Sequence, residues 1–398
     1  MNLAKRNVRT QQVSVYRGAQ RLIVDEVSAG NIIGIVGLKD VFAGETVSRN
    51  PIEPFEAIKH IFEPVVTKSI EATKAADLPR LVEILKQIRK EDPSIKIEIN
   101  EQTGESLMSG MGELHLEIIE NRIKTEKGLD VKTSPPIIVY RETIGKESPA
   151  IEGRSPNKHN SFYIKVGLLE DNVYEAIKSG ELREGKVKKK SEDIFNIFSK
   201  LGWSGDMIRN VKDIYKGNVF LDETRGEVHI GEVMEMVLDA FKMVMDQGPL
   251  AREPCMKLKV SLVDTRLHED AIHRGPAQVY PAIREAIVEA MKKSNAYLLE
   301  PLQIHLIEMP DKFLGIVTKL VGSKRGQMLE VKQEETQAEM KAKLPVAEMI
   351  GWSNDLRSAT EGRGVSSLMD QLFEKVPASI RQDVIKKIRK RKGLSEKQ

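Results

Sequence analysis

The sequence predicts a multidomain α+β protein: the end of a β-barrel, a ferredoxin-like βαββαβ domain, a central α+β domain with projecting tip loops, and a second ferredoxin-like domain with a C-terminal helix. Three observations carry this prediction. Residues 51–133 and 300–373 each alternate period-two runs with runs of helical spacing, in the order βαββαβ. Residues 1–50 hold only short strand-like runs and turn glycines, the spacing of hairpins in a small barrel. Residues 134–299 set two polar, turn-rich loops beside strongly alternating strands.

In chain order, Gln12–Tyr16, Leu22–Val24 and Asn31–Val36 are the strand-like runs, with Gly37 and Gly44 at turns; the stretch is too short for a whole barrel. Pro51–Pro54 reads as a linker. Pro64–Ala72 is a strand, and Asp77–Asp92 a helix with Leu81, Leu85 and Ile88 on one stripe and Asp77 as its cap. Ile95, Ile97 and Ile99 alternate with Lys96, Glu98 and Asn100, and Ser106–Ser109 returns as the next strand. Glu113–Lys127 is helical through Leu114, Ile118, Ile119 and Ile123, stops at Gly128, and leads to Leu129–Thr133. His115, in the first turns of that helix, suits packing or capping better than catalysis.

Ser134-Pro135-Pro136 opens the central domain, with Ile137–Tyr140 as its first strand. Arg154–Asn160 must be a turn, followed by strand-like Phe162–Val166. Residues 170–215 are the least legible; Lys186–Lys190 reads as a solvated basic face, and Phe195 and Trp203 as anchors of a local cluster. Val233–Met245 is a helix stopped by Gly248-Pro249. Met256, Leu258, Val260 and Leu262 alternate with Lys257, Lys259 and Ser261, a half-buried strand. It runs into the polar loop Leu267–Gln278, after which Pro281 sits in the first turn of a helix carrying Ile283, Ile287 and Met291.

Beyond Pro301, Leu302, Ile304 and Leu306 alternate, Lys312–Gly322 is helical, and Met328–Val331 and Ala338–Leu344 are strands. Ser353–Ala359 is a short helix, and Gly362-Arg363-Gly364 leads into a last strand near Val365–Phe373. In the tail, 374–398, Pro377–Lys392 forms a helix with Ile380, Val384 and Ile388 apolar and many Lys and Arg residues around them. Its basic face suits either RNA phosphates or plain solvation.

A length of 398 residues fits about two to four domains. A 30% charged content with net charge +3 means a mixed-sign surface, so any nucleic-acid contact is local. The one cysteine, Cys255, excludes an intramolecular disulfide and a cysteine zinc cluster. No apolar run approaches the roughly 20 residues that span a bilayer, so the expectation is a soluble intracellular chain. No G-x-x-x-x-G-K-[ST] loop occurs; Gly104–Gly112 is glycine-rich but lacks the Lys-Ser/Thr pair, so this chain is not expected to bind or hydrolyse GTP.

The chemistry concentrates in the two loops. His268-Glu269 opens like a zinc-protease helix, but His268 and His273 are five residues apart, roughly 140° around a helix, which fails that motif. Lys158, His159, His273 and Arg274 come without a nucleophile–base set or paired carboxylates. That inventory suits recognition rather than covalent catalysis, and no catalytic, metal or nucleotide-binding residue is assigned. Lys and Arg meet phosphates, imidazoles stack on unpaired bases, Gly275 allows close backbone approach, and Pro276 stiffens the turn.

Asp270-Ala271-Ile272-His273-Arg274-Gly275 closely resembles the diphthamide-bearing loop of the elongation factor 2 family, and His273 matches the modified histidine. Ser155-Pro156-Asn157-Lys158-His159-Asn160 resembles a neighbouring tip loop of the same family's fourth domain. Ser109–Glu117 resembles its third-domain signature, Ala29–Ile32 and Ala43–Val47 the last strands of its second domain, and Gly248-Pro249-Leu250 its helix exit. The resemblance covers nearly the whole chain and is weakest over 170–215.

It implies the C-terminal portion of a translational GTPase that drives tRNA–mRNA translocation. The expected domains are 1–50 (end of domain II), 51–133 (III), 134–299 (IV), 300–373 (V) and 374–398, a basic helix packing back on domain IV. The GTPase domain, with its GTP and Mg, would lie upstream. Diphthamide is implied on His273, and ribosome and tRNA contacts on Ser155, Pro156, Asn157, Lys158, His159, Asn160, His268, Asp270, Arg274, Gly275 and Pro276. The implied partners are ribosomal RNA, tRNA–mRNA and the diphthamide-synthesising enzymes, for a cytoplasmic monomer without membrane contact. Gly275-Pro276-Ala277, in place of an all-glycine run, favours an archaeal source. The alternatives are a stand-alone RNA-binding adaptor, which lacks the aromatic strands that stack bases, a metal-dependent hydrolase, disfavoured by the histidine spacing, and a recycling or rescue paralogue, which the diphthamide-type loop argues against.

Overall fold

The computed structural model describes residues 10–18, 20–38, 41, 43–50, 52–53, 55, 63–99, 106–187, 192–224 and 229–395, within two compact units, 1–138 and 139–398. Pro51, Pro54, Gly104 and Lys188–Lys190 lie outside the described residues. Among those described, no helix is long and apolar enough to cross a membrane.

The first unit opens with β1 (Gln12–Arg17), β2 (Gln20–Ile23) and β3 (Gly34–Val36), an antiparallel sheet with β1 in the middle. Next come β4 (Val66–Ala72), α1 (Leu78–Glu91), β5 (Lys96–Ile99), β6 (Ser106–Gly110), α2 (Glu113–Thr125) and β7 (Val131–Thr133), with sheet order β5-β6-β4-β7. This is the ferredoxin-like arrangement. Leu81, Leu85 and Ile88 of α1 and Leu116, Ile119 and Ile123 of α2 bury against Ile70, Ile97 and Met108. Burial of each such side chain contributes roughly 1.5–3 kcal/mol.

Three details differ from expectation. The buried stripe of α2 is 116, 119 and 123, the i, i+3, i+7 set, so Leu114 and Ile118 stand about half exposed on the flank. Asp77 is helical and makes no side-chain cap; Pro79 in the first turn starts α1 instead. Ile137–Ile138 (β8) adds to β4 in this sheet and does not open the central domain. Gly128 terminates α2 with φ +58°, as its type allows. His115 Nε2 meets Asp92 Oδ2 at 2.9 Å, and its Nδ1 accepts from Met111 N at 3.4 Å, which ties the start of α2 to the end of α1.

The second unit has two sheets. The first is built from β10 (Ile151–Arg154), β11 (Ser161–Leu168), β12 (Gly185–Lys186), β13 (Val211–Tyr215), β14 (Asn218–Asp222) and β15 (Leu258–Arg266), in order β10-β11-β15-β14-β13-β12. β9 (Arg141–Thr143) instead joins the second sheet. Only the β14–β15 pair is parallel, and its crossover carries α6 (Ile230–Asp246). α6 and α7 (Pro276–Lys293) cover one face through Val237, Phe241, Ile283 and Ile287, packed on Phe162, Ile164, Val260 and Leu262. α3 (Asp171–Lys178), α4 (Glu192–Lys200) and α5 (Gly205–Asn210) cover the other through Val173, Phe198 and Ile208, with Trp203 from the turn between α4 and α5. The aromatic anchor beside Trp203 is Phe198, at 4.6 Å between ring centroids; Phe195, 37% exposed, lies outside that cluster.

α7 starts one turn earlier than the sequence suggested. Gly275 is its N-cap and Pro276 its first residue, which leaves Pro281 inside the helix. There the missing N–H costs only the bond to the exposed Ala277 carbonyl. α7 lies so close to β10 that a Cβ on Gly153 would stand 2.0 Å from the Ala282 carbonyl oxygen.

The second sheet has β16 (Tyr297–Pro310) at its centre, with β17 (Gln327–Gln333), β18 (Gln337–Pro345) and β19 (Val365–Lys375) in order β17-β18-β16-β19, and β9 on the first residues of β16. α8 (Leu314–Ser323) and α9 (Trp352–Ala359) pack Val317, Val321, Trp352 and Leu356 against Ile307, Met309, Met340 and Leu344. α10 (Ala378–Arg391) buries Ile385 and Ile388. Arg389 Nη1 donates to Leu250 O at 2.7 Å, and Arg391 and Lys392 pair with the buried Glu253 carboxylate at 3.2 and 2.8 Å. Three of the tail's cations are thus engaged within the protein.

His305 of β16 is buried, with Nδ1 2.9 Å from Ser366 Oγ and Nε2 3.2 Å from Gln303 Oε1, and Trp352 Nε1 donates to the same Ser366 Oγ at 3.1 Å. Burial pulls the imidazole from 6.5 down to about 4. The folded state therefore prefers neutral His305. This contribution to stability is whole above pH 6.5 and is lost as pH falls toward 4, by about 3 kcal/mol at about 1.4 kcal/mol per unit. Urea midpoints followed by tryptophan fluorescence should fall across that window, and His305→Gln should flatten the fall.

Candidate nucleic-acid interface at the tip loops

β11 and β15 are antiparallel neighbours, with Ser161 opposite Arg266. The loop that enters β11 and the loop that leaves β15 therefore emerge side by side. Residues 155–160 and 267–275, more than 100 positions apart, form one surface, and the start of α6 adds His229 and Glu232 beneath it.

The two loops are joined by side-chain to backbone bonds. Asn160 Oδ1 accepts from His268 N at 3.0 Å, and its Nδ2 donates to His273 O at 2.7 Å. Asn157 Nδ2 donates to that same carbonyl at 3.3 Å, and Asn157 N donates to Gln278 Oε1 at 2.9 Å. Within the first loop, Ser155 Oγ donates to Asn157 Oδ1 at 2.5 Å and accepts from Asn160 N at 3.0 Å. Lys158 takes φ +62°, the left-handed conformation that closes so tight a turn. In the second loop, Asp270 Oδ1 accepts from Ile272 N at 3.1 Å, which starts a single 3₁₀ turn over Ala271–Arg274.

The predicted contact residues divide in two. Pro156, Lys158, His159, Asp270 and Pro276 are exposed, and Asn157, His268, His273 and Gly275 half-buried. Ser155, Asn160 and Arg274 are buried, with Arg274 5% exposed, and so belong to the frame. Arg274 is the clearest correction. Its Nη1 donates to His268 O at 2.8 Å and its Nη2 to Glu232 Oε2 at 2.6 Å, so its fork is spent holding the loop and does not face outward for a phosphate. His229 on the other oxygen and Arg274 together hold the Glu232 carboxyl below its usual range.

Three imidazoles meet where the loops join, that of His159 exposed and those of His268 and His273 half-buried. Ring centroids lie 4.5 Å apart for His268 and His273, 4.8 Å for His159 and His273, and 5.0 Å for His159 and His268. Among the described residues, no group of three His, Cys, Asp or Glu is arranged to hold a metal ion. Ile272, in the same loop, is 77% exposed. The surface offers flat rings, one apolar side chain, the Lys158 cation and the exposed Glu269 and Asp270 carboxylates, without a nucleophile among the described residues. Such a set suits stacking and phosphate contact with unpaired nucleotides.

Sequence reasoning did not single out Ile272, Gln278 or Glu232. Gln278 lies in the first turn of α7, where a side chain can turn back onto a facing loop, and that position was a usable signal. Glu232 gave none, since its partner is 42 residues away.

Three family models match the chain in succession: elongation factor G domain III over residues 61–135, elongation factor G domain IV over 171–295, and the elongation factor G C-terminus over 297–384. The chain is 51% identical over 402 residues to elongation factor 2 of Nanoarchaeum equitans, covering 98% of this chain and 54% of that protein. It is 48% identical over 390 residues to elongation factor 2 of Pyrococcus abyssi, covering 98% and 53%. The corresponding figure for Thermococcus kodakarensis is 47% over 391 residues. The chain spans about half the length of these relatives and matches their C-terminal portion.

If Arg274 holds the second loop, Arg274→Ala should release it. Hydrogen bonds to charged groups contribute roughly 1.5–3 kcal/mol. Amide exchange across 268–274 should then rise by roughly tenfold or more, while exchange in β11 and β15 stays unchanged.

Proposed function

The chain belongs to the elongation factor G and elongation factor 2 family, and from that premise we propose that it is the working end of an archaeal elongation factor 2, which promotes GTP-dependent movement of tRNA and mRNA on the ribosome. Its domains are assigned as 1–50, the end of domain II; 51–133, domain III; 134–299, domain IV, apart from β8, which pairs in the domain III sheet; 300–373, domain V; and 374–398, the basic closing helix. The observation that carries the proposal is the paired-loop surface of domain IV, where Lys158, Ile272 and three imidazoles stand on a hydrogen-bonded frame.

In this reading the tip enters the decoding region behind the moving tRNA and acts as a wedge. A wedge must not yield when loaded, and the loop-to-loop bonds supply that stiffness. Diphthamide is assigned to His273, where it would extend a cationic arm from the outer surface, installed by the diphthamide-synthesising enzymes. The factor works as a cytoplasmic monomer. Nucleotide chemistry is left to a GTPase domain, which is not among the domains matched here. With no phosphate loop in the sequence, no residue of this chain is assigned to GTP or Mg²⁺. The stand-alone adaptor is not favoured, because three consecutive family domains match in the factor's own order.

The test uses the full-length factor carrying this segment, with Lys158→Ala and His159→Ala together. A base–ring stack contributes about 1–3 kcal/mol, so translocation followed by toeprinting should slow roughly tenfold or more. Ribosome-stimulated GTP hydrolysis should stay within about twofold. Unchanged translocation, or a parallel loss of hydrolysis, would refute a mechanical role for the tip.

A further inference from the structure

We propose that Asn160 is the positioning residue for His273: a buried side-chain amide that closes both ends of the 268–273 loop and sets the pose in which the imidazole leaves the protein. The proposal rests on the reading of His273 as the working residue of the tip, and adds what holds it there.

Asn160 lies 113 residues before His273, and it is 0% exposed. Its Oδ1 receives the N–H of His268 at the entry of the loop, and its Nδ2 reaches the carbonyl of His273 at the exit. A single amide thus presents an acceptor to a donor and a donor to an acceptor. Apart from the longer glutamine, no other neutral side chain of this kind offers both polarities from one planar group. A flipped amide would set like against like at both ends, so the two contacts fix its orientation. The Asn160 backbone N–H is itself held by Ser155 Oγ at 3.0 Å, so the clamp is anchored in the first loop.

Residue 273 is consequently pinned through its backbone. Its carbonyl takes bonds from Asn160 at 2.7 Å and Asn157 at 3.3 Å, and its N–H donates to Asp270 O at 3.2 Å. The imidazole keeps only its own rotamers, and two rings, His268 and His159, narrow those. Glu269–Ile272, between the clamped ends, are exposed, so the order of this segment depends on a few bonds. Loss of one bond from a buried partner shifts such an equilibrium by roughly tenfold. A conserved-volume change that removes one polarity should therefore loosen one end of the loop and spare the other.

The experiment uses this chain prepared without modifying enzymes and labelled with ¹³C at its seven histidines. Asn160→Asp keeps the acceptor for His268 N and removes the donor to His273 O. Asn157→Asp removes the longer of the two bonds to His273 O, keeps its acceptor for Ser155 and His159, and alters only a half-buried site. Lys158→Ala serves as the control. In Asn160→Asp the ring signals of His273 should move toward random-coil positions and those of His268 should move less. Asn157→Asp should shift His273 the same way by a smaller amount. Lys158→Ala should leave the His273 signals where they are, and the signals of His115 and His305, in other domains, should stay fixed in all three. If Asn160→Asp does not fold, seen as a collapsed indole signal of Trp203 in the core of the same domain, Asn157→Asp decides alone. Unmoved His273 signals in the folded Asn variants would overturn the proposal. Because the tested protein is unmodified, the result stands whether or not His273 is modified in its own host.

Discussion

The contact between Gly153 and α7 governs how the tip can be built. The helix lies so close to β10 that the Ala282 carbonyl occupies the space where any side chain at 153 would begin. This approach lets α7 run flat along the β10–β11 hairpin, with Ala282 and Ala286 buried at the contact and Ile283 and Ile287 in the core. A larger residue at 153 would push the helix outward. The start of α7, Gly275-Pro276, would then move away from residues 155–160, which carry the other half of the surface. The alternation of strand faces and the antiparallel β11–β15 pair bring the loops near each other; the close helix brings them into bonding range.

From there the design is polar. The loops meet through amides and hydroxyls on backbone groups, and a buried cation, Arg274, is neutralised by Glu232 and held by a carbonyl. The amide and hydroxyl bonds of this frame cost little desolvation and persist over a wide pH range, and the one ion pair in it, Arg274–Glu232, has its carboxylate half exposed. The cationic and aromatic groups are left on the outside. Binding groups held this way have lost most of their freedom before a partner arrives, which lowers the entropy cost of contact.

Much of the fold was legible because most elements are buried on one face only. β15, β18 and α1 announce themselves by clean periodicity, and both ferredoxin-like domains follow from element order, whereas α10 buries Ile385 with Ile388 and leaves Ile380 and Val384 half-buried. The illegible part has a physical reason. In β14, Val219, Phe220 and Leu221 are all fully buried, because helices cover both faces of that sheet, so no alternation remains to be read. Short helices such as α4 and α5 carry little periodic signal, which is how Phe195 was mistaken for Phe198 as the anchor. Pro281 misled because a proline usually marks a helix start, and here Pro276 had already done so. In the site, the loops and histidines were legible through their resemblance to a family. The inward turn of Arg274 was not, since a charged residue in a polar loop is ordinarily exposed and its partner lies on another element. The division into frame and contact residues required coordinates.

The central claim is that the half-buried imidazole of His273, on its clamped loop, is the working group of an elongation factor 2 tip. Peptide mass spectrometry of the 267–284 segment, from protein made in its native host, tests this most directly. The account predicts a diphthamide mass increment placed by fragmentation on His273, with His268 unmodified. A bare His273 in protein from a host that carries the diphthamide-synthesising enzymes, or an increment on His268, would contradict it.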